Sequence, residues 1–282
     1  MNSRRSPLVV AMLIFGFAFL YLPILSMVIY SFNASRLVTV WDSVHSPTLA
    51  WYVELFGNEE ILEAARLSLR VAAVSATGAV MLATLAAFAL VRYRRFRGRS
   101  LFGLLTTAPM VLPEVITGLS LLLLFVSLSQ WIGWPAARGA STITIAHVTF
   151  CLAYAVVVIE ARLLTVDRSL EEAAMDLGAR PWKVFLVITL PLILPAIASA
   201  WLLSFILSWD DIVITSFVSG PGSTTLPQLV FSKVRLGVSP DINALATLLV
   251  GLVSVCVAAA GAVMMRSERR RLRDMQLAMG VH

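Results

Sequence analysis

Six stretches of the chain contain no Asp, Glu, Lys or Arg: Leu8–Ser35, Val71–Val91, Val115–Ala137, Ala140–Ile159, Val184–Trp209 and Ile242–Met265. Each is long enough to cross a hydrocarbon layer as a helix, which takes roughly 20 mostly apolar residues at a rise of ~1.5 Å per residue. Lipid offers no partner to an unpaired N–H or C=O, so such stretches fold as helices that satisfy their own backbone. The chain as a whole lacks the charge for a water-soluble surface, because only 13% of its 282 residues are charged, against ~25% in soluble domains. The expected fold is an all-α membrane protein with six transmembrane helices, near residues 8–31, 68–91, 101–130, 141–162, 187–211 and 243–265, in a single domain over residues 1–282. Residues 1–7 run into an apolar block too long for a signal-peptide core, and no small-residue cleavage site follows, so no removable leader is expected. Cys151 and Cys256 both fall in expected spans and supply neither a disulfide framework nor a zinc pattern.

A formal charge of +6 would suit a nucleic-acid binder, but the location of the basic residues excludes that class. Of 22 Lys and Arg residues, 16 lie in four places: Arg4 and Arg5; Arg92, Arg94, Arg95, Arg97 and Arg99; Arg162, Arg168, Arg180 and Lys183; and Arg266, Arg269, Arg270, Arg271 and Arg273. These are the two termini and alternate connections. The positive-inside rule then puts both termini in the cytoplasm, with the connections after spans two and four, and makes the clusters anchors beside anionic lipid headgroups. On the opposite side the first connection, near 35–62, carries Trp41, Trp51, Tyr52, Asp42, Glu54, Glu59 and Glu60. The second, near 131–141, is a short turn. The third, near 210–241, is long and contains Ser219-Gly220-Pro221-Gly222-Ser223, and a loop of that length at a membrane surface points to function.

The connection between spans four and five, about 167–185, is the most informative. Ser169 followed by Glu172 has capping-box spacing and predicts a helix start. Leu170, Ala173, Ala174 and Leu177 repeat at i, i+3, i+4 and i+7 and form an apolar face, with Glu171, Met175 and Asp176 largely on the other. Gly178 suits the left-handed position that ends a helix, and Pro181 the first turn of the next. A helix of about two turns is unstable alone in water, so it needs a surface to dock on. That surface is either the membrane and the protein's own bundle or a partner.

Glu172-Ala173-Ala174, three residues, Gly178, nine residues, then Ile188-Thr189-Leu190-Pro191 resembles the cytoplasmic motif of the permease subunits of binding-protein-dependent ABC importers. The resemblance implies the type I ABC importer permease fold and a bacterial inner-membrane location. It implies that Leu170–Leu177 is the coupling helix that docks on an ATPase subunit, Gly178 its turn, and Pro191 the break into span five. No P-loop is present, because Lys183 and Lys233 follow Trp182 and Ser232 and not glycine. The chain is thus expected to be a transport subunit and not an enzyme, with no cofactor of its own and with ATP and Mg on the partner ATPase.

Glu114, in Pro113-Glu114-Val115-Ile116-Thr117-Gly118, falls near the middle of the expected third span, where an ionisable side chain is costly and marks a functional position. Asp210 and Asp211 follow Trp209 at the outer end of span five, and about 100° of helical rotation separates them, so one of the two is expected to face the pathway. With Glu114 they make an acidic route suited to cations, to which Trp41 and Trp209 could add cation–π faces. Ser31-Phe32-Asn33 with Leu37-Val38-Thr39-Val40-Trp41, Pro113–Ser120, and Trp209-Asp210-Asp211 through Gly222 resemble the polyamine branch of the family, nearest the putrescine permeases. That implies inward transport of putrescine or spermidine with an ATPase dimer, a second permease subunit and a periplasmic polyamine-binding protein. Another small solute is the alternative cargo. From other classes, an intramembrane serine protease would need Ser120 and His147, and a cation channel would leave the coupling helix idle. His147 is expected as a hydrogen-bonded helix residue, and no metal site arises from His45, His147 and His282.

Overall fold

The computed structural model describes residues 7–36, 40–93, 95–237 and 239–279. Arg4, Arg5, Leu37, Val38, Thr39, Arg94 and His282 lie outside the described residues. Among the described residues there is no strand, and six helices are long and apolar enough to cross a membrane. Two compact units share the chain, one from residues 1–59 and 232–282, the other from residues 60–231.

The first unit contains α1 (Pro7–Tyr30), α2 (Ala50–Gly57) and α12 (Pro240–Met279). Its loop is organised by Asn33, which is 1% exposed. Asn33 Nδ2 donates to Val40 O (2.7 Å), its Oδ1 accepts from Asp42 N (2.9 Å) and Ser46 Oγ (3.2 Å), and its carbonyl accepts from Trp51 Nε1 (2.7 Å). The Asp42 carboxyl is held below its usual range by the Val44 N–H and by His45 beside it.

The second unit is arranged around α6 (Ala140–Thr165), whose buried residues serve two apolar clusters. One joins it to α3 (Glu59–Arg92) and α9 (Leu190–Trp209) through residues such as Ala83, Ala87, Val156, Ile159, Ile193 and Ala200. The other joins it to α3, α5 (Glu114–Ile132) and α10 (Val213–Val218) through Ala79, Phe125, Ile143, Phe150 and Ile214. Small residues at these contacts let backbones approach closely, the usual source of helix association in lipid. At Gly118 of α5 an added Cβ would lie 2.7 Å from the Phe217 ring and 3.3 Å from Ile214 Cα, so α5 and α10 can pack this closely only without one.

The third span differs from expectation. Residues 101–130 are not one helix but α4 (Arg99–Val111) and α5, separated by Leu112 in an extended conformation (ψ 140°) and by Pro113. The pyrrolidine ring disfavours helical geometry in the preceding residue, which accounts for the break. Further along come α7 (Ser169–Asp176), α8 (Pro181–Val184) and α11 (Leu226–Leu236). Between α8 and α9 the helix widens into a π-turn, Phe185–Thr189. Pro191, expected to break the chain, sits instead in the first turn of α9, and the helix stays continuous from Pro181 to Trp209. The wider turn just ahead accommodates a ring that would otherwise collide with the carbonyl four residues back.

Candidate functional site

The depth of each group follows from its register along α6. Arg162, near one end of that helix, donates to Leu192 O (3.3 Å); Cys151 Sγ donates to Ser204 O (3.4 Å); His147 Nδ1 lies 2.7 Å from Ser208 Oγ. Helix α9 therefore runs antiparallel to α6 from the end that carries Arg92, Arg99 and Arg162, the basic end. Beyond the break at 210–212, α10 continues the same way, with Thr215 Oγ1 3.0 Å from His147 Nε2 and Val218 O accepting from Thr142 Oγ1 (2.7 Å) near the opposite end of α6. Asp210 and Asp211 thus sit at the level of His147 and Phe150, deeper than the outer end of the span where the hydropathy pattern put them. Phe150 is roughly 15 Å from the start of a helix roughly 39 Å long, close to its middle.

A cleft of about 270 Å³ opens at this level, lined by Glu114, Phe150, Leu207, Asp210, Asp211, Ile212 and Val213. Two helix breaks meet there, one at Leu112-Pro113 between α4 and α5 and the other at Asp210–Ile212 between α9 and α10. Glu114 occupies the first turn of α5, where the helix N-terminus favours a negative charge. Discontinuous helices at mid-membrane are where transporters place ion and substrate sites, because unpaired backbone there can face a cavity.

The two aspartates play different parts. Asp211 is buried, and its carboxylate accepts from Thr215 N (2.8 Å), Thr215 Oγ1 (2.8 Å) and Ile214 N (3.2 Å), with His147 Nε2 at 3.2 Å. Thr215 donates its hydroxyl proton to Asp211, so its oxygen accepts from His147 Nε2, while His147 Nδ1 bonds Ser208. Asp211 holds the first turn of α10 in place. Asp210 is exposed at the break and is the aspartate free to meet a ligand. His147 is thus a hydrogen-bonded helix residue as expected, and its Nδ1 bonds Ser208 and its Nε2 Thr215 and Asp211, not the Ser120 that a protease would need.

Trp209 lies one residue before the break and stacks on Phe205 (6.0 Å, 17°), which stacks on Trp201 (5.4 Å, 20°). It adjoins the cleft without lining it. Trp41 belongs to the first unit, where it packs edge-on against Tyr30 at 6.0 Å.

At the basic end, α7 begins at Ser169 as expected but without the capping box. Asp167 Oδ1 accepts from Ser169 N (2.9 Å), which holds the Asp167 carboxyl below its usual range, and Glu172 pairs with Arg168 (3.3 Å) one turn back. The far end is a Schellman cap: Gly178 has φ +87°, its N–H reaches Met175 O (2.9 Å), and Ala179 N reaches Ala174 O (3.1 Å). Pro181 opens α8.

Helix α7 also reverses the expected orientation of its faces. Glu171, assigned to the outward side by polarity, is the buried residue, while Leu170 is 50% and Leu177 90% exposed, and Glu172 and Ala173 are exposed too. Ala174 is half-buried and Pro191 exposed. Glu171 Oε1 accepts from Arg92 Nη2 (2.7 Å), Arg92 Nε (3.1 Å) and Thr189 Oγ1 (2.8 Å). Polarity alone hides such a contact. The available signal was an arginine ending a long apolar run at Arg92, which needs a counter-charge.

Residues 79–273 match the family described as the binding-protein-dependent transport system inner membrane component. The putrescine transport system permease protein PotI of Escherichia coli (strain K12) is 59% identical over 274 residues, covering 97% of this chain and 96% of that protein. The spermidine/putrescine transport system permease protein PotC of the same strain is 42% identical over 243 residues, 86% of this chain and 88% of that one. Among solved structures, a bacterial ABC transporter involved in import of the acidic polysaccharide alginate superposes with a TM-score of 0.70 at 18% identity, over 92% of this chain and 96% of that one. The alginate transporter in complex with its pentasaccharide-bound periplasmic protein gives 0.63 at 17% identity, over 89% of each chain.

Proposed function

The chain belongs to the binding-protein-dependent transport system inner membrane components, and from that membership we propose that it is the membrane-spanning permease subunit of an ATP-driven importer of polyamines, putrescine foremost. It is a multi-pass membrane transport subunit and not an enzyme. The observation that carries the cargo assignment is the mid-span cleft with Glu114 and Asp210 on its wall. Acidic Glu114 and Asp210 line the same cleft as apolar Phe150 and Leu207, a chemistry suited to a short alkyl chain that carries ammonium groups: the acids take the charges and the apolar residues take the methylenes. The fold is shared with an alginate importer whose cargo is acidic, so the sign of the cleft charge, and not the fold, carries the choice.

The expected partners are an ATPase dimer bearing ATP and Mg, a second permease subunit that completes the pathway, and a periplasmic polyamine-binding protein. The basic end then faces the cytoplasm of a bacterium, with both termini on that side, by the positive-inside rule. The exposed Leu170, Ala173 and Leu177, with Glu172, form the surface offered to the ATPase, and Gly178 turns the chain back toward span five. Closure of the ATPase dimer on ATP moves α7, the movement passes through α8 and the π-turn past Pro191 into α9, and the break at 210–212 lets the cleft open toward the binding protein. Hydrolysis resets it.

The test is uptake of labelled putrescine and spermidine by the permease pair reconstituted in vesicles with its ATPase and binding protein. Saturable, ATP-dependent uptake that falls in Glu114→Gln supports the reading. Uptake of another solute with no polyamine transport would overturn the cargo assignment and leave the family membership untouched.

A further inference from the structure

Glu171 is the one buried residue of α7, and its contact is three-way. A single oxygen, Oε1, receives both Arg92 donors and the Thr189 hydroxyl, and the partners come from two spans: Arg92 is the last residue of α3, and Thr189 the last of the π-turn that leads into α9. The side chains of Arg92 and Glu171 are 10% and 8% exposed, and Thr189 is fully buried. Around the pair, Val184 is buried and Phe185 packs edge-on against Phe88 at 4.9 Å, so the clasp sits at the seam between the ends of α3 and α9. A buried carboxylate of this kind tolerates loss of its partner badly, because the remaining charge cannot be resolvated in place.

We propose that Glu171 is the positioning residue that fastens α7 to both spans at once, so that a push on α7 is delivered to the end of α3 and to the π-turn of α9 as one displacement. The inference rests on the permease reading above. Without the clasp, α7 would hang from its two connections, and a partner could rock it without moving either span. The π-turn is the fitting element to receive the push, since single π-turns inside α-helices occur frequently at functional sites. Thr189 ties the inner edge of that turn to the same oxygen that Arg92 holds, so the register of the π-turn and the seat of α7 depend on each other.

The experiment compares Glu171→Gln, Thr189→Val, Arg92→Glu and the swap Arg92→Glu with Glu171→Arg in the full complex. Substrate-stimulated ATP hydrolysis and uptake are measured in the same vesicles and normalised to the complex present. Uptake per ATP is expected to fall about tenfold in Glu171→Gln and about threefold in Thr189→Val, a range typical of lost coupling between sites. Hydrolysis should persist in both, and the swap should recover most of the loss of Arg92→Glu. A merely structural role would lower the amount of complex and leave uptake per ATP unchanged, which would overturn the proposal. Thr189→Val, which removes one hydroxyl at constant shape, remains informative if the charge variants do not assemble. Wild-type complex that couples normally beside variants that also couple normally refutes the clasp alone; wild-type chain that recruits no ATPase refutes the permease reading with it.

Discussion

Replacing Gly178 tests the α7 turn with little besides backbone in play. The residue has φ +87°, and an added Cβ would meet no atom within 4 Å, so Gly178→Ala creates no clash. What remains is the cost of an L-residue in left-handed geometry, about 1–2 kcal/mol. At ~1.4 kcal/mol per tenfold change, the seated population of α7 should fall by roughly 5- to 30-fold relative to frayed forms. Gly178→Asn should fall between, because asparagine visits that region several-fold more readily than other residues, and Gly178→Val should be worst. Hydrogen exchange of the amides at 174–179 would report the fraying directly, since Gly178 N and Ala179 N make the two capping bonds. Uptake should follow the same order. Unchanged exchange and uptake in Gly178→Ala, or an asparagine variant worse than alanine, would refute the assignment of a strain-free left-handed cap.

Other outcomes follow from the cleft and the exposed face. Glu114→Gln and Asp210→Asn should raise the putrescine concentration for half-maximal uptake by about tenfold each while the complex still assembles, about what one charge-assisted contact contributes; Asp211→Asn should instead destabilise α10, visible as a loss of complex on mild heating. Leu177→Ala should weaken ATPase binding by about 1–2 kcal/mol, as expected for most of a buried leucine, measured by co-purification at graded detergent. Gly118→Leu should separate α5 from α10 and abolish uptake, because the site of the added side chain is taken up by Phe217 and Ile214.

Hydropathy and punctuation carried much of the architecture. The uncharged runs gave six helices able to span a membrane, and Gly178 and Pro181 took the local geometries that their missing Cβ and closed ring favour. The interruptions of spans three and five were hidden because an apolar window averages over a break: Leu112 and Ile212 are as apolar as the helices on either side. Asp210 and Asp211 looked interfacial for the same reason, since α10 is too short to register as part of a span. The inward turn of Glu171 was invisible because periodicity sorts residues by polarity, and an ion pair formed 79 positions apart in the chain reverses that sorting. The aspartates could be told apart only by their partners, Thr215 and His147, which the fold supplies.

Helix α7 is seated by its acid and leaves its leucines exposed, the reverse of an ordinary surface helix. By itself the chain exposes an apolar patch at Leu170 and Leu177, the kind of surface that marks an interaction site or an aggregation liability. On the proposed function, docking of an ATPase covers that patch. If α7 docks on an ATPase as proposed, the same two leucines that pass on mechanical work in the finished transporter also mark the unassembled chain, and cellular levels of the permease should fall when the ATPase is missing.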